Sequence, residues 1–526
     1  MSKTSGKRRT ANTAPKKRFT AITFIVVVIL LFFIAALFIN SNFIRRQATA
    51  VEANGMKLSA AEYQFFYVSA VTEYTNYVNN NYGDSAAAML PVSGQSLDTQ
   101  FVPETDQTWA DFYNEATMAD IQFFTGAYQE AIAAGFTVSE EEYATIDAEI
   151  AMMVEQVPMY YGMSFVDYLK YQFGASSGMT EELYRDMTRK HYYASLYAVS
   201  INDGFSYTES EIDAAYAAKK DDFDIFKYRF FTVRAETLDV MNFESAEAYE
   251  EADKAIIDAA RALAVDYVAT ITSEQDFIEK AREYNPTTYE LDSSTLYYYG
   301  GRDLDMTFTD WAKDPSRASG NMCTEPTNED ASVNRAFYVV YFLERITNEY
   351  PTVNVELMQL TGQTISSADF TDEEGVLNEA AYNAELETAK TALSAKANEM
   401  FSEWEANGGT LDYLKEYYTA NTSFVYGSLD EFNGTIGGSF YKNISYSYAQ
   451  DDKTDEWMHA PERQAGDYTL VQGVDENKWF LIYFVEKDMD YCDYLADLSK
   501  RAEDLAAWEA TFSVTEAKIR WGIKLL

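Results

Sequence analysis

A phrase of twelve residues occurs twice in this chain, and no other feature constrains the fold as strongly. "DWAKDPSRASGN" runs from Asp310 to Asn321, and "EWMHAPERQAGD" from Glu456 to Asp467. Both read acid, Trp, three residues, Pro, one residue, Arg, two residues, Gly, then Asn or Asp. With 9 Pro and 7 Trp among 526 residues, chance does not align them this way twice. The flanking patterns also match. The first copy has a strand pattern at Phe226–Ala235, a long Ala-rich helix over about 245–270 and a shorter helix, "EQDFIEKAREYN", and it closes on the apolar strand Ala336–Ile346. The second has a strand at Val353–Leu360, a helix over about 378–405 and the helix "LDYLKEYYTAN", and it closes on Trp479–Lys487. This order predicts a tandem duplication of one α+β unit, at 223–348 and 349–490. Within the phrase, Trp belongs on a short helix that the Pro-x-Arg stretch ends. Gly supplies a turn conformation that other residues avoid. That reading is one of packing and turn geometry, with no chemistry in it.

The rest of the chain is helical in pattern. Three capping boxes, Ser59 with Glu62, Ser139 with Glu142 and Thr208 with Glu211, punctuate amphipathic periodicity over 47–222. The segment 491–526 has a helical apolar period in "YLADLSKRAEDLAAW" and needs a partner face, which is expected on the helical domain. At the other end an uncharged run lies between Arg18 and Arg45. Its apolar core, Phe19 to Ile39, would span about 30 Å as a helix, the thickness of a bilayer's hydrocarbon core. Seven basic residues precede it and two follow. The positive-inside rule makes 1–18 a cytoplasmic tail, 19–41 a transmembrane signal anchor and the remainder extracellular. A cleaved signal peptide is the rival, since "ATA" at Ala48–Ala50 resembles a cleavage site.

Charge and composition exclude several function classes. The first 46 residues hold nine of the 41 basic residues and none of the 84 acids, so a net charge of -43 becomes -52 for the rest. Such a surface repels phosphate and argues against nucleic-acid binding. The 2 His, His191 and His459, cannot build a multi-His zinc site. Cys323 and Cys492 allow one disulfide or two free thiols. No GxSxG, P-loop or GxGxxG occurs, and the acidic runs lack the alternating spacing of an EF-hand loop. No catalytic residue, metal site or cofactor is expected.

The order of elements resembles the SurA and PrsA families of extracytoplasmic foldases. "AVEANGMKLSAAEYQFFY" is similar to the phrase that opens their helical chaperone domain. "AIAAGFTVSEEEY" and "FSYTESEIDAAYAAKKDDF" are similar to later phrases of the same families. The duplicated unit resembles their parvulin-type peptidyl-prolyl isomerase domain. The resemblance implies an α+β protein: a helical chaperone-like domain at 47–222, two tandem parvulin-like domains and a C-terminal helix that completes the helical domain. It also implies where catalytic histidines would stand. The first-strand position falls on Phe230 and Leu357, and the last-strand position near Tyr338 and Phe480. None is His. What survives is an apolar pocket, for which Phe230, Met306, Trp311, Tyr338, Leu357, Met358, Trp457 and Phe480 are the candidate peptide-binding residues.

The resulting expectation is a membrane-anchored extracellular chaperone for exported, unfolded polypeptides, lacking the isomerase histidines. An active prolyl isomerase using non-His groups is the alternative, with Cys323 lying just after the first Trp phrase. A surface scaffold or adhesin is the second.

Overall fold

Residue alternation along the strands sorts their side chains into two sets, and the layers follow from that sorting. The computed structural model describes residues 42–328, 334–372, 375–426, 433–447, 453–474 and 476–513. The expected tail at 1–18 and signal anchor at 19–41 lie outside the described residues. Among the described residues no helix is long and apolar enough to cross a membrane. The protein is α+β. It divides into two compact units, 1–206 with 501–526, and 207–500.

In the first unit a short helix α1 (Asn42–Gln47) leads into a hairpin, β1 (Thr49–Ala53) and β2 (Met56–Ser59). Five helices follow: α2 (Ala60–Tyr82), α3 (Trp109–Ala134), α4 (Glu140–Tyr161), α5 (Phe165–Phe173) and α6 (Glu181–Gly204). The boxes at Ser59 and Ser139 form as the sequence predicts. The Ser59 amide donates to Glu62 Oε2 at 2.6 Å, and the Ser139 amide to Glu142 Oε2 at 2.7 Å. Each bond satisfies an otherwise orphaned donor at a helix start. Tyr63, Phe66, Trp109, Tyr113 and Phe124 fill the core. The last described residues enter the same core. Phe512 is buried there, and its ring sits so close over Gly126 that a Cβ would lie 2.2 Å away. Trp508 Nε1 donates to Glu130 at 3.0 Å, and the Ser513 amide to Asn54 Oδ1 at 2.7 Å.

The second unit begins with α7 (Glu209–Ala218), capped by the Thr208–Glu211 box, and α8 (Lys220–Phe223). Two modules follow. The first holds β3 (Ile225–Arg234), α9 (Ala246–Thr270), α10 (Glu274–Tyr284), β4 (Leu296–Gly300), α11 (Thr309–Lys313), β5 (Met322–Pro326) and β6 (Ala336–Ile346). The second holds β7 (Pro351–Thr361), α12 (Glu379–Ala406), α13 (Leu411–Ala420), β8 (Ser423–Val425), β9 (Asn433–Ile444), α14 (Lys453–Met458), β10 (Tyr468–Gln472) and β11 (Lys478–Asp490). Helix α15 (Tyr491–Glu509) is the last element among the described residues.

The sheets are antiparallel, in the orders β4-β3-β6-β5 and β8-β9-β7-β11-β10. Without β8 the two orders coincide. The registers coincide too: Phe230 pairs with Val340 and Leu357 with Ile482, while Tyr228 pairs with Phe342 and Val355 with Phe484. On one face of the first sheet Phe231, Val233, Phe337, Val339 and Tyr341 pack with Ala260, Ala264 and Phe277 of the two helices. On the matching face of the second, Met358, Leu360 and Leu481 pack with Leu393, Trp404 and Leu414. Among the described residues the opposite faces are packed by the short Trp helix and its neighbouring loop, and the site lies there.

Candidate functional site

The repeated phrase builds the rim of each site in the same way. Trp311 lies on α11 and Trp457 on α14. The Arg317 guanidinium lies 4.8 Å from the Trp311 ring centre, and that of Arg463 lies 4.7 Å from Trp457, a cation–π contact in both copies. Gly320 and Gly466 have φ of 89° and 93°, in the left-handed region that a side chain disfavours. The Gly320 amide donates to the Phe342 carbonyl at 3.0 Å and that of Gly466 to Phe484 at 2.9 Å. The return bonds, Phe342 amide to Asn321 carbonyl and Phe484 amide to Asp467 carbonyl, are 2.9 and 2.8 Å. The turn thus fastens the Trp helix to the closing strand. One difference is local: Arg317 Nε donates to the Trp311 carbonyl at 2.9 Å, whereas Arg463 Nε is buried with no partner among the described residues.

In the first module the structure gathers all four candidate residues. Phe230, Met306, Trp311 and Tyr338 are half-buried around Phe226, Tyr228, Phe308 and Phe342. Phe230 and Tyr338 stand edge to face with ring centres 5.2 Å apart, and Tyr338 meets Phe308 at 5.3 Å. Sequence reasoning missed Tyr297 and Tyr299, which extend this aromatic floor; Tyr297 stacks on Phe230 at 4.2 Å. Their alternation in "LYYYG" was the available signal. It also missed Tyr228, whose hydroxyl is buried without a partner among the described residues. Burial and the neighbouring tyrosines push that phenol's pKa well up, so it stays neutral.

In the second module Leu357, Trp457 and Phe480 come together on the corresponding face, around Val353, Val355, Met458, Ile482 and Phe484. Met358 does not join them. It is fully buried on the other face, beneath the helices. Adjacent strand residues point to opposite faces, so Leu357 and Met358 never share a site.

Cys323 and Cys492 are both free. Burial pushes the Cys323 thiol up to about 12, which leaves it protonated and unreactive at neutral pH. His191 lies in the helical unit, stacked on Phe124 and 3.5 Å from Asp120. His459 follows α14. Its Nδ1 is 3.1 Å from buried Asp455 and its Nε2 is 3.2 Å from the Ile444 carbonyl. Both ring nitrogens face acceptors, which favours the doubly protonated ring. Burial alone would lower the pKa of His459, but the Asp455 carboxylate and the two carbonyls hold it above the ordinary histidine value. Among the described residues no cluster of His, Cys, Asp and Glu could hold a metal ion. A cavity of about 800 Å³ lies in the helical unit, remote in sequence from every candidate residue. Arg185 and Arg189 on its wall are paired with Glu181 and Asp147, so its charge is largely neutralised from within.

No family model matches the chain, and no curated protein matches it. Among solved structures it is similar to the foldase protein PrsA from Streptococcus pneumoniae, at 10% identity and a TM-score of 0.20. That match covers 48% of this chain and 77% of the other.

Proposed function

We propose that this chain is a foldase-like chaperone that binds unfolded, exported polypeptides through two aromatic and apolar sites without catalysing prolyl isomerisation. The supporting observation is the pairing at the position where the resembling isomerases carry histidines. In the first module Phe230 and Tyr338 meet edge to face, and in the second Leu357 and Phe480 share one apolar face. These side chains offer stiff contact area to an apolar segment. None of the four is a histidine, and the Tyr338 hydroxyl is the one polar group among them. Residues 19–41 would tether the protein to the membrane, with the acidic bulk outside keeping a loaded complex soluble.

The fragment 47–526 is expected to slow aggregation of an unfolded client at stoichiometric amounts. It should leave a proline-limited refolding phase unchanged, a phase lasting on the order of tens of seconds without a catalyst. A rate that rises with substoichiometric fragment would establish the isomerase reading instead. A flat rate with no protection would leave a scaffold.

A further inference from the structure

Six consecutive residues of β9, Gly437 to Lys442, are exposed although the strand lies inside a five-stranded sheet's order. The reason is the length of its outer neighbour. β8 pairs only with Asn433–Thr435, and the last backbone bond on that side runs from the Ile436 amide to the Thr422 carbonyl at 3.0 Å. Beyond it β9 continues against β7 as far as Ile444. Amide and carbonyl groups alternate sides along a strand. Since Ile436 points outward, Gly438 and Phe440 do too, and Gly437, Ser439 and Tyr441 bond inward to β7. Among the described residues nothing pairs with the outward groups of Gly438 and Phe440. Such an edge is a template for another strand, and it is usually blunted by charge, Pro or a covering loop. Here the run 437–441 carries no charge and no Pro; Lys442 follows it, and the Lys415 ammonium lies 5.9 Å over the Phe440 ring on the helix-covered face.

We propose that this edge binds an extended segment of an unfolded polypeptide by backbone pairing, as a strand continuing the line of β8. The inference rests on the chaperone reading above and adds the mode of capture. Three observations choose the occupant. β8 already occupies the same edge and stops, so the geometry for an added strand is set. Strand addition draws its affinity from main-chain bonds and needs no particular client sequence. A second copy of this chain is disfavoured, because two bodies each near -52 outside their first 46 residues repel one another. An added strand would also place alternate side chains on the face of Leu357 and Phe480, where Gly437 has nothing within 4 Å of a Cβ position. That space admits a client side chain.

The test uses hydrogen exchange on the fragment 47–526 with reduced, carboxamidomethylated lysozyme as the unfolded client. The client should slow exchange in the peptide spanning 433–444. Phe440→Pro removes one outward donor and no ladder bond, because its amide faces away from β7. It should weaken client binding roughly tenfold, the worth of one or two net backbone bonds. Client binding with unprotected 433–444 and an unaffected Phe440→Pro would overturn the edge and leave the aromatic sites as the binding surface. Protection that appears without client as protein concentration rises would assign the edge to a second copy and overturn the proposal. Absence of any client binding would remove both readings. The wild-type exchange measurement decides even if the Pro variant fails to fold.

Discussion

The two modules share a frame and differ beneath it. Their sheets have the same strand order and register, and their Trp-Pro-Arg-Gly turns agree to within about a tenth of an ångström in matching bonds. Yet one buried position carries opposite charge in the two copies. Arg229 pairs across the sheet with Tyr341, and Glu356 with Tyr483, at equivalent points on the helix-covered face. Arg229 is 7% exposed and is held by Glu274 at 2.7 Å, the Asp292 carbonyl at 2.6 Å and Thr295 at 3.1 Å. Glu356 is fully buried and accepts from the Tyr418 hydroxyl at 2.7 Å, with Lys415 at 3.3 Å. In each module the partners come from the shorter helix or the segment after it. The fold therefore accepts either sign at this point when compensating groups stand beside it. A buried charge is tolerated wherever its own helix compensates it.

The largest effect should come from breaking that compensation. Arg229→Glu sets a carboxylate against Glu274 and the Asp292 carbonyl, and about 4 kcal/mol of destabilisation is expected. Adding Glu274→Arg should recover more than half of it. Urea unfolding with hydrogen exchange of the β3 peptide measures both, and a harmless single variant would show the site to be solvated.

The shared frame predicts equal losses at its matched residues. Trp311→Ala and Trp457→Ala each remove a half-buried indole and its Arg partner, for about 3 kcal/mol apiece. A loss confined to one copy, read from exchange in β6 against β11, would mean that the two phrases do different work. Smaller still, Gly320→Ala and Gly466→Ala should each cost about 1–2 kcal/mol, since a Cβ is forced into a left-handed backbone. A difference larger than that cost between the two would break the equivalence.

The smallest expected effect sharpens a difference. His459 stands where the first module has Lys313. Its folded pKa is raised, so its contribution is complete below the ordinary histidine pKa and is lost as pH rises through the folded value. Tyr350 and Tyr446 flank the ring, and Asp455 is the acid facing it. Protection factors in α14, with the intrinsic base-catalysed rise in exchange divided out, should fall from acidic toward alkaline pH, while those in α11 stay level over the same range. His459→Gln should remove the slope.

What the sequence determined by itself was local. The capping boxes at Ser59, Ser139 and Thr208 formed, because each joins groups three residues apart. The duplicated phrase turned alike twice, because Gly320 or Gly466 and short-range bonds such as Asn321 amide to Ala318 carbonyl and Asp467 amide to Gln464 carbonyl shape it, while its fastening to Phe342 or Phe484 came from the closing strand. The equivalence of Phe230 and Leu357 was legible from the two copies, and their candidacy came from the resemblance to the parvulin-type unit. Tertiary structure decided what alternation leaves open. Both sets of side chains in "YRFFTV" and "VELMQL" contain apolar residues, so only the docking of α9 and α12 settled which set was covered. That docking separated Met358 from Leu357 and buried Arg229 and Glu356. Strand β9 also escaped the sequence reading, since "NGTIGGSFYKNI" has glycines that weaken a strand taken alone. Its pairing comes from β7, more than seventy residues earlier, and so does the open edge it presents. A contact between distant segments leaves no periodic trace in either one.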